Sequence, residues 1–143
     1  DVNLDTFNSS GINKNTTYII QNWNLTINTD IKINKNILFV VKWGNIIINS
    51  NVKQIDAILI TIWENNVWWN INSDKDTNDQ LNINWALYWN ISWLLSNRTY
   101  IKSEWEYIKV GTNVNFSSKI FANPPPLLSK FLQDYLNVQK EAK

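Results

Sequence analysis

Between Asn22 and Thr61 the chain is cut into apolar runs of three to six residues, each closed by Asn, Asp or Gly, and this cadence constrains the fold more than any other feature. Leu25/Ile27 and Ile31/Ile33 recur at the two-residue period of a half-buried strand, and Asn28-Thr29-Asp30 and Asn34-Lys35-Asn36 between the runs are turn material. Ile37 to Val41, Ile46 to Ile48, Val52, and Ile55 to Ile60 continue the series. Successive runs lie about six to nine residues apart, too close for helical crossovers between them. The cadence predicts a mainly β chain, a short-strand β-solenoid (β-helix-like) whose coils stack on one another, with a β-sandwich as the alternative.

At 143 residues the chain suits one domain with one core. Its 13 basic and 12 acidic residues leave a net charge of +1, too weak a field to recruit a polyanion, so nucleic acid is not an expected partner. The polar surface is instead largely neutral, because Asn supplies about one residue in six. Histidine and cysteine are absent, which removes imidazole catalysis, thiolate nucleophiles, disulfides and the zinc or copper sites that depend on those ligands. No apolar stretch approaches the ~18 residues of a spanning helix, so no membrane insertion by this segment is expected.

Residues 65–80 form a polar excursion, read as a solvent loop or an insertion between strands. Strand character returns in Leu81 to Tyr88 and in Ile91 to Leu95. Pro124-Pro125-Pro126 ends whatever precedes it, and beyond it the apolar positions 127, 128, 131, 132, 135, 136 and 138 have helical spacing, with Pro126 placed to open the helix. The chain therefore divides into a β domain over 1–123 and a proline-led C-terminal amphipathic helix over 124–143. That helix is expected to cover an open end of the coils or to link to another segment.

Nine tryptophans against three glycines invert the usual balance. Trp23, Trp43 and Trp63 fall at a spacing near one solenoid coil. Asn22-Trp23-Asn24, Ile62-Trp63-Glu64, Asn84-Trp85-Ala86 and Tyr88-Trp89-Asn90 are turn-flanking slots in which a strand-rich chain ordinarily needs φ > 0 or a close backbone approach, the properties of glycine. Three readings stand: the tryptophans occupy glycine positions, or they pack in the core, or Trp85, Trp89 and Trp93 line an exposed platform on which sugars stack.

The phrases Asn-x-Leu-Thr-Ile, Ile-Leu-Phe-Val-Val, Gly-Asn-Ile-Ile-Ile, Ile-Asp-Ala-Ile-Leu-Ile and Gln-Leu-Asn-Ile-Asn-x-Ala-Leu-Tyr-x-Asn-Ile-Ser, within residues 22–98, resemble β-helix-like surface proteins of small, episymbiotic candidate-phylum bacteria. The likeness covers about half of the chain. Some lineages of that group read UGA as glycine, so the resemblance implies that tryptophans in the glycine slots stand where the native protein carries glycine. It also implies a secreted or surface-displayed segment, and it brings no catalytic residue with it.

Candidate chemistry is sparse. Asp74, Asp76 and Asn78 have the alternating oxygen ligands that open a calcium loop, but Asp79 stands where that loop needs glycine and Trp85 where it needs a bidentate Glu. No cofactor is therefore expected, with calcium the one metal to test. Asp56 is a charge inside the apolar run Ile55 to Ile60, which it can enter only if hydrogen-bonded, so a structural role capping a turn between coils is expected. The expected function is a non-enzymatic structural or adhesive cell-surface module, secreted or displayed, whose partners are neighbouring segments of a longer surface protein or a cell-surface glycan. The alternative is a carbohydrate-binding module using Trp85, Trp89 and Trp93.

Overall fold

The computed structural model describes residues 1–4, 12, 14–62, 69–73, 79–88, 99–100, 109–116, 118 and 122–130, with 85–88, 99–100 and 109–110 as backbone alone. In chain order the strands are β1 (Val2–Leu4), β2 (Thr16–Gln21), β3 (Leu25–Ile27), β4 (Ile37–Lys42), β5 (Ile46–Ile48), β6 (Gln54–Ile55), β7 (Ile58–Ile62), β8 (Ile71–Ser73), β9 (Leu81–Tyr88), β10 (Thr99–Tyr100), β11 (Lys109–Val110) and β12 (Thr112–Phe116). The chain is mainly β with parallel sheets.

In one set β2 pairs with β4, β4 with β7, and β7 with the last residues of β9. In a second, β1 pairs with β3, β3 with β5, and β5 with β8. In the third, Ile31 bridges Ile55, β6 pairs with the start of β9, and β9 pairs with β12. All of these pairs are parallel, and β10 with β11 is the one antiparallel pair among the described residues. An antiparallel sandwich would need the opposite sense. Paired positions are separated by 21 residues at Asn24 and Asn45, 25 at Asn45 and Asn70, 28 at Asp56 and Asn84, and 31 at Asn82 and Asn113. The added length lies in the connections, and the strands stay in step.

All three sets face one core. Leu25, Ile46 and Ile71 enter it from β3, β5 and β8, Phe39 and Leu59 from β4 and β7, and Ile31, Ile55 and Ile83 from the third set. Burying one such side chain is worth roughly 1.5–3 kcal/mol, so these aliphatics hold the parallel sheets together. Tyr18 stacks on Phe39 of the next strand with ring centroids 5.2 Å apart. β4 is apolar at almost every position because its other face is covered too: Leu38 and Val40 form a second cluster with Ile58, Ile60 and Leu128.

Several expectations change. The excursion over 65–80 contains a strand, since β8 pairs with β5 and buries Ile71 and Ser73. Its polar sequence hid it, because only one of its three residues is aliphatic. Ile55 to Ile60 is not one strand: Asp56 and Ala57 separate β6 from β7, and the two halves belong to different sets. Ile31 to Ile33 contributes a single bridge at Ile31. The chain after Pro124-Pro125-Pro126 first turns, with Leu127 left-handed at φ 66°, and is helical over 128–130. Residues 131–143, most of the expected helix, lie outside the described residues. What is described packs Leu128 against the lateral face of β4 and β7, and the expectation that the segment covers an open end or links onward falls on residues outside those described.

Candidate functional site

Polar side chains beside the strands bond to the equivalent place on the neighbouring parallel strand. Asn24 Oδ1 accepts from the Asn45 N–H at 2.8 Å and from the Asn45 amide, and Asn45 Oδ1 accepts from the Asn70 N–H at 2.8 Å. Asn15 Oδ1 accepts from the Asn36 N–H, and the Asn49 amide donates to Asn28 Oδ1. On β9 and β12 the Asn113 amide donates to Asn82 Oδ1 and the Asn115 amide to Asn84 Oδ1. At Asn36, Asn45 and Asn70 the acceptor for the backbone N–H is the side-chain amide of the asparagine at the equivalent place on the neighbouring strand. The abundance of asparagine thus has a structural cause.

Two aspartates do the same work with charge. Asp30 Oδ1 accepts from the N–H groups of Lys53 and Gln54 at 2.7 and 3.1 Å, and Oδ2 pairs with Lys32 at 2.8 Å. Burial pushes the Asp30 carboxyl up, but the Lys32 ammonium and the two backbone donors outweigh it and hold it below the usual carboxylate range. The Asp30 carboxylate in turn raises the Lys32 ammonium. Asp56 lies at the break between β6 and β7. Its carboxylate accepts from Gln54 at 2.9 and 3.0 Å, from the Asn84 amide at 2.8 Å and from the Ile33 N–H at 3.3 Å.

Two clefts adjoin at the 32–36 turn and share Asn34 and Lys35. The larger, about 530 Å³, is lined by Lys14, Asn34, Lys35 and the Asn123 to Pro126 segment, and the smaller, about 370 Å³, by Ile12, Lys32, Ile33 and Asp56. The proline segment is tied down where it crosses: Asn15 and Asn36 both donate to the Asn123 carbonyl, and Thr17 donates to Pro126. Sequence reasoning missed this corner, although Ile12-Asn13-Lys14-Asn15 and Ile33-Asn34-Lys35-Asn36 repeat the same four residues and could have marked it.

The tryptophan slots sort differently from expectation. Gln21 lies beside Lys42 and Leu25 beside Ile46, so Asn22, Trp23 and Asn24 stack against Trp43, Gly44 and Asn45. In these two turns the left-handed residues are Asn22 at φ 63° and Trp43 at φ 59°, and Trp23 is not one of them. Trp23 shares its place with Gly44, where a Cβ would stand 2.1 Å from the Trp23 carbonyl oxygen. The next coil repeats the pattern as Trp69 before Asn70, since Ile71 pairs with Ile46. Trp23 and Trp43 are exposed, and the Trp69 indole N–H is buried without a partner. Of the expected platform, Trp85 lies in β9 in register with Phe116, while Trp89 and Trp93 lie outside the described residues, as do Asp74, Asp76 and Asn78 of the calcium loop.

Among the described residues no three or more His, Cys, Asp or Glu side chains gather as a metal site, and no helix is long and apolar enough to cross a membrane. No protein family, curated protein or solved structure matches the chain.

Proposed function

We propose that the chain is a short, three-faced β-solenoid serving as a non-enzymatic structural or adhesive module, secreted or displayed at a cell surface and needing no cofactor. The observation that carries this reading is the use of the turn side chains: Asn24, Asn45, Asn15 and Asp30 each bond to the backbone of the following coil. Such a column is stiff along its axis and depends on nearest-neighbour contacts, the mechanics of a spacer or scaffold. Its partners are neighbouring segments of a longer surface protein or a surface glycan. Antibodies raised to the chain should label intact cells of the source organism. Labelling that appears only after permeabilisation would contradict surface display.

The resemblance to β-helix-like surface proteins belongs to the same proposal, and with it glycine as the native residue at tryptophan positions. Trp43 in a left-handed conformation and Trp23 in the place held by Gly44 one coil later both support it. Reading the encoding DNA for UGA at these positions tests it, and UGG there would end it.

A further inference from the structure

We infer that the larger cleft at the repeated Ile-Asn-Lys-Asn corner is a binding site for a tetrahedral oxyanion, sulfate or phosphate, either free or carried as a substituent on a glycan. The hydrogen bond from the Asn36 N–H to Asn15 Oδ1 sets the two copies of the motif one above the other, so that Lys14 and Lys35 occupy equivalent places on adjacent coils. Adjacent parallel backbones run about 4.8 Å apart. Like charges directly opposite on neighbouring strands repel, and an anion seated between them removes the repulsion. The carboxylates nearest the corner among the described residues are engaged: Asp30 is bonded to Lys32 and to two backbone N–H groups, and Asp56, which lines the smaller cleft with Lys35, accepts from Gln54, Asn84 and the Ile33 N–H.

The rest of the cleft fits the same ligand. The Asn34 amide adds a neutral donor, and the prolines form a wall without N–H groups, anchored through the Asn123 carbonyl. At about 530 Å³ the space exceeds a bare anion and leaves room for the sugar that would carry it. Asp56, in the adjoining cleft with Lys32 and Lys35, repels an anion and displaces it toward the Lys14 side of the shared Lys35. Anion binding here stands whether or not the chain is displayed at a surface.

The test uses the full chain, titrated with sodium sulfate, with sodium phosphate and with a sulfated oligosaccharide against sodium chloride of matched ionic strength. Binding is followed by calorimetry and by thermal melts. Saturable binding is expected, weakened at least about tenfold in Lys14→Gln/Lys35→Gln, which by the 1.4 kcal/mol-per-decade rule is about 1.4 kcal/mol. Lys53→Gln, a charge loss elsewhere on the surface, should leave it unchanged. Tighter binding of the sulfated sugar than of sulfate identifies a glycan substituent as the ligand, and equal binding identifies the free anion. An equal response in the double variant and the parent chain, the behaviour of a salt excluded from the surface, would overturn the proposal. Circular dichroism of the double variant should match the parent, since Lys14 is exposed and Lys35 is only half-buried.

Discussion

The turn at Asn22-Trp23-Asn24 and the one stacked on it at Trp43-Gly44-Asn45 follow the same backbone path with different side chains in two of three places. The shared residue is the asparagine, whose amide reaches the next coil. The first place is left-handed in both turns, a conformation Asn adopts readily and Trp does not. The middle place is glycine where the preceding coil's carbonyl closes in and tryptophan where the side chain reaches solvent. The comparison teaches that the path is dictated by stacking, and that the coil tolerates the side chains it is given only as far as the neighbouring coil leaves room.

The largest effect on these two turns is expected from Gly44→Ala. A Cβ 2.1 Å from a backbone carbonyl oxygen forces one coil to shift, and overpacking of this kind costs about 3 kcal/mol. Denaturant melts that show no loss would mean the two turns are not in contact. Asn45→Ala comes next. It leaves the Asn70 N–H without its acceptor and removes a donor to Asn24, an expected loss of about 2 kcal/mol.

Smaller effects separate the two tryptophans. Trp43→Gly should stabilise by about 1 kcal/mol by releasing a strained left-handed residue, while Trp23→Gly, exposed and not left-handed, should change stability by less than about 0.5 kcal/mol. A larger gain at Trp23 than at Trp43 would assign the strain to the wrong turn. The smallest effect is one of pH. Asp30 has a folded-state value below its ordinary 3.8, so its contribution is complete above that pH and fades as pH falls through the lower folded value. Asp30→Asn should flatten the acid limb of the stability curve and, because the Asp30 carboxylate raises the Lys32 ammonium, also remove the loss of stability as pH rises through the Lys32 folded value.

The core-facing strands were legible in two ways: Leu25/Ile27 and Leu81/Ile83 show the alternation that burial on one side imposes, and Ile46-Ile47-Ile48 reads as a short apolar run. β8 was not, because Ile71-Asn72-Ser73 meets the core with one aliphatic and one small polar residue. β2 was passed over for a related reason: as the edge of its set it carries Thr and Gln and leaves Ile19 exposed. Parallel pairing could not be read from any single strand, since it is a relation between residues a coil apart. The ladders were hidden for the same cause. Asn24 and Asn45 look like interchangeable turn residues until the register places one above the other. Asp56 was singled out from its apolar neighbours, but its donors Gln54 and Asn84 and the Ile33 N–H come from three places in the chain.

Parallel register between β3 and β5 can be measured directly, because the chain has no cysteine of its own. Thr26 lies beside Ile47 on neighbouring strands, and about 4.8 Å between parallel strands falls within the Cα range a disulfide accepts. Oxidised Thr26→Cys/Ile47→Cys should form an intramolecular bond rapidly and completely. An antiparallel hairpin of β4 and β5 would instead bring position 42 to position 46. A Thr26→Cys/Ile47→Cys chain that stays reduced while Lys42→Cys/Ile46→Cys links would contradict the stacked-coil account.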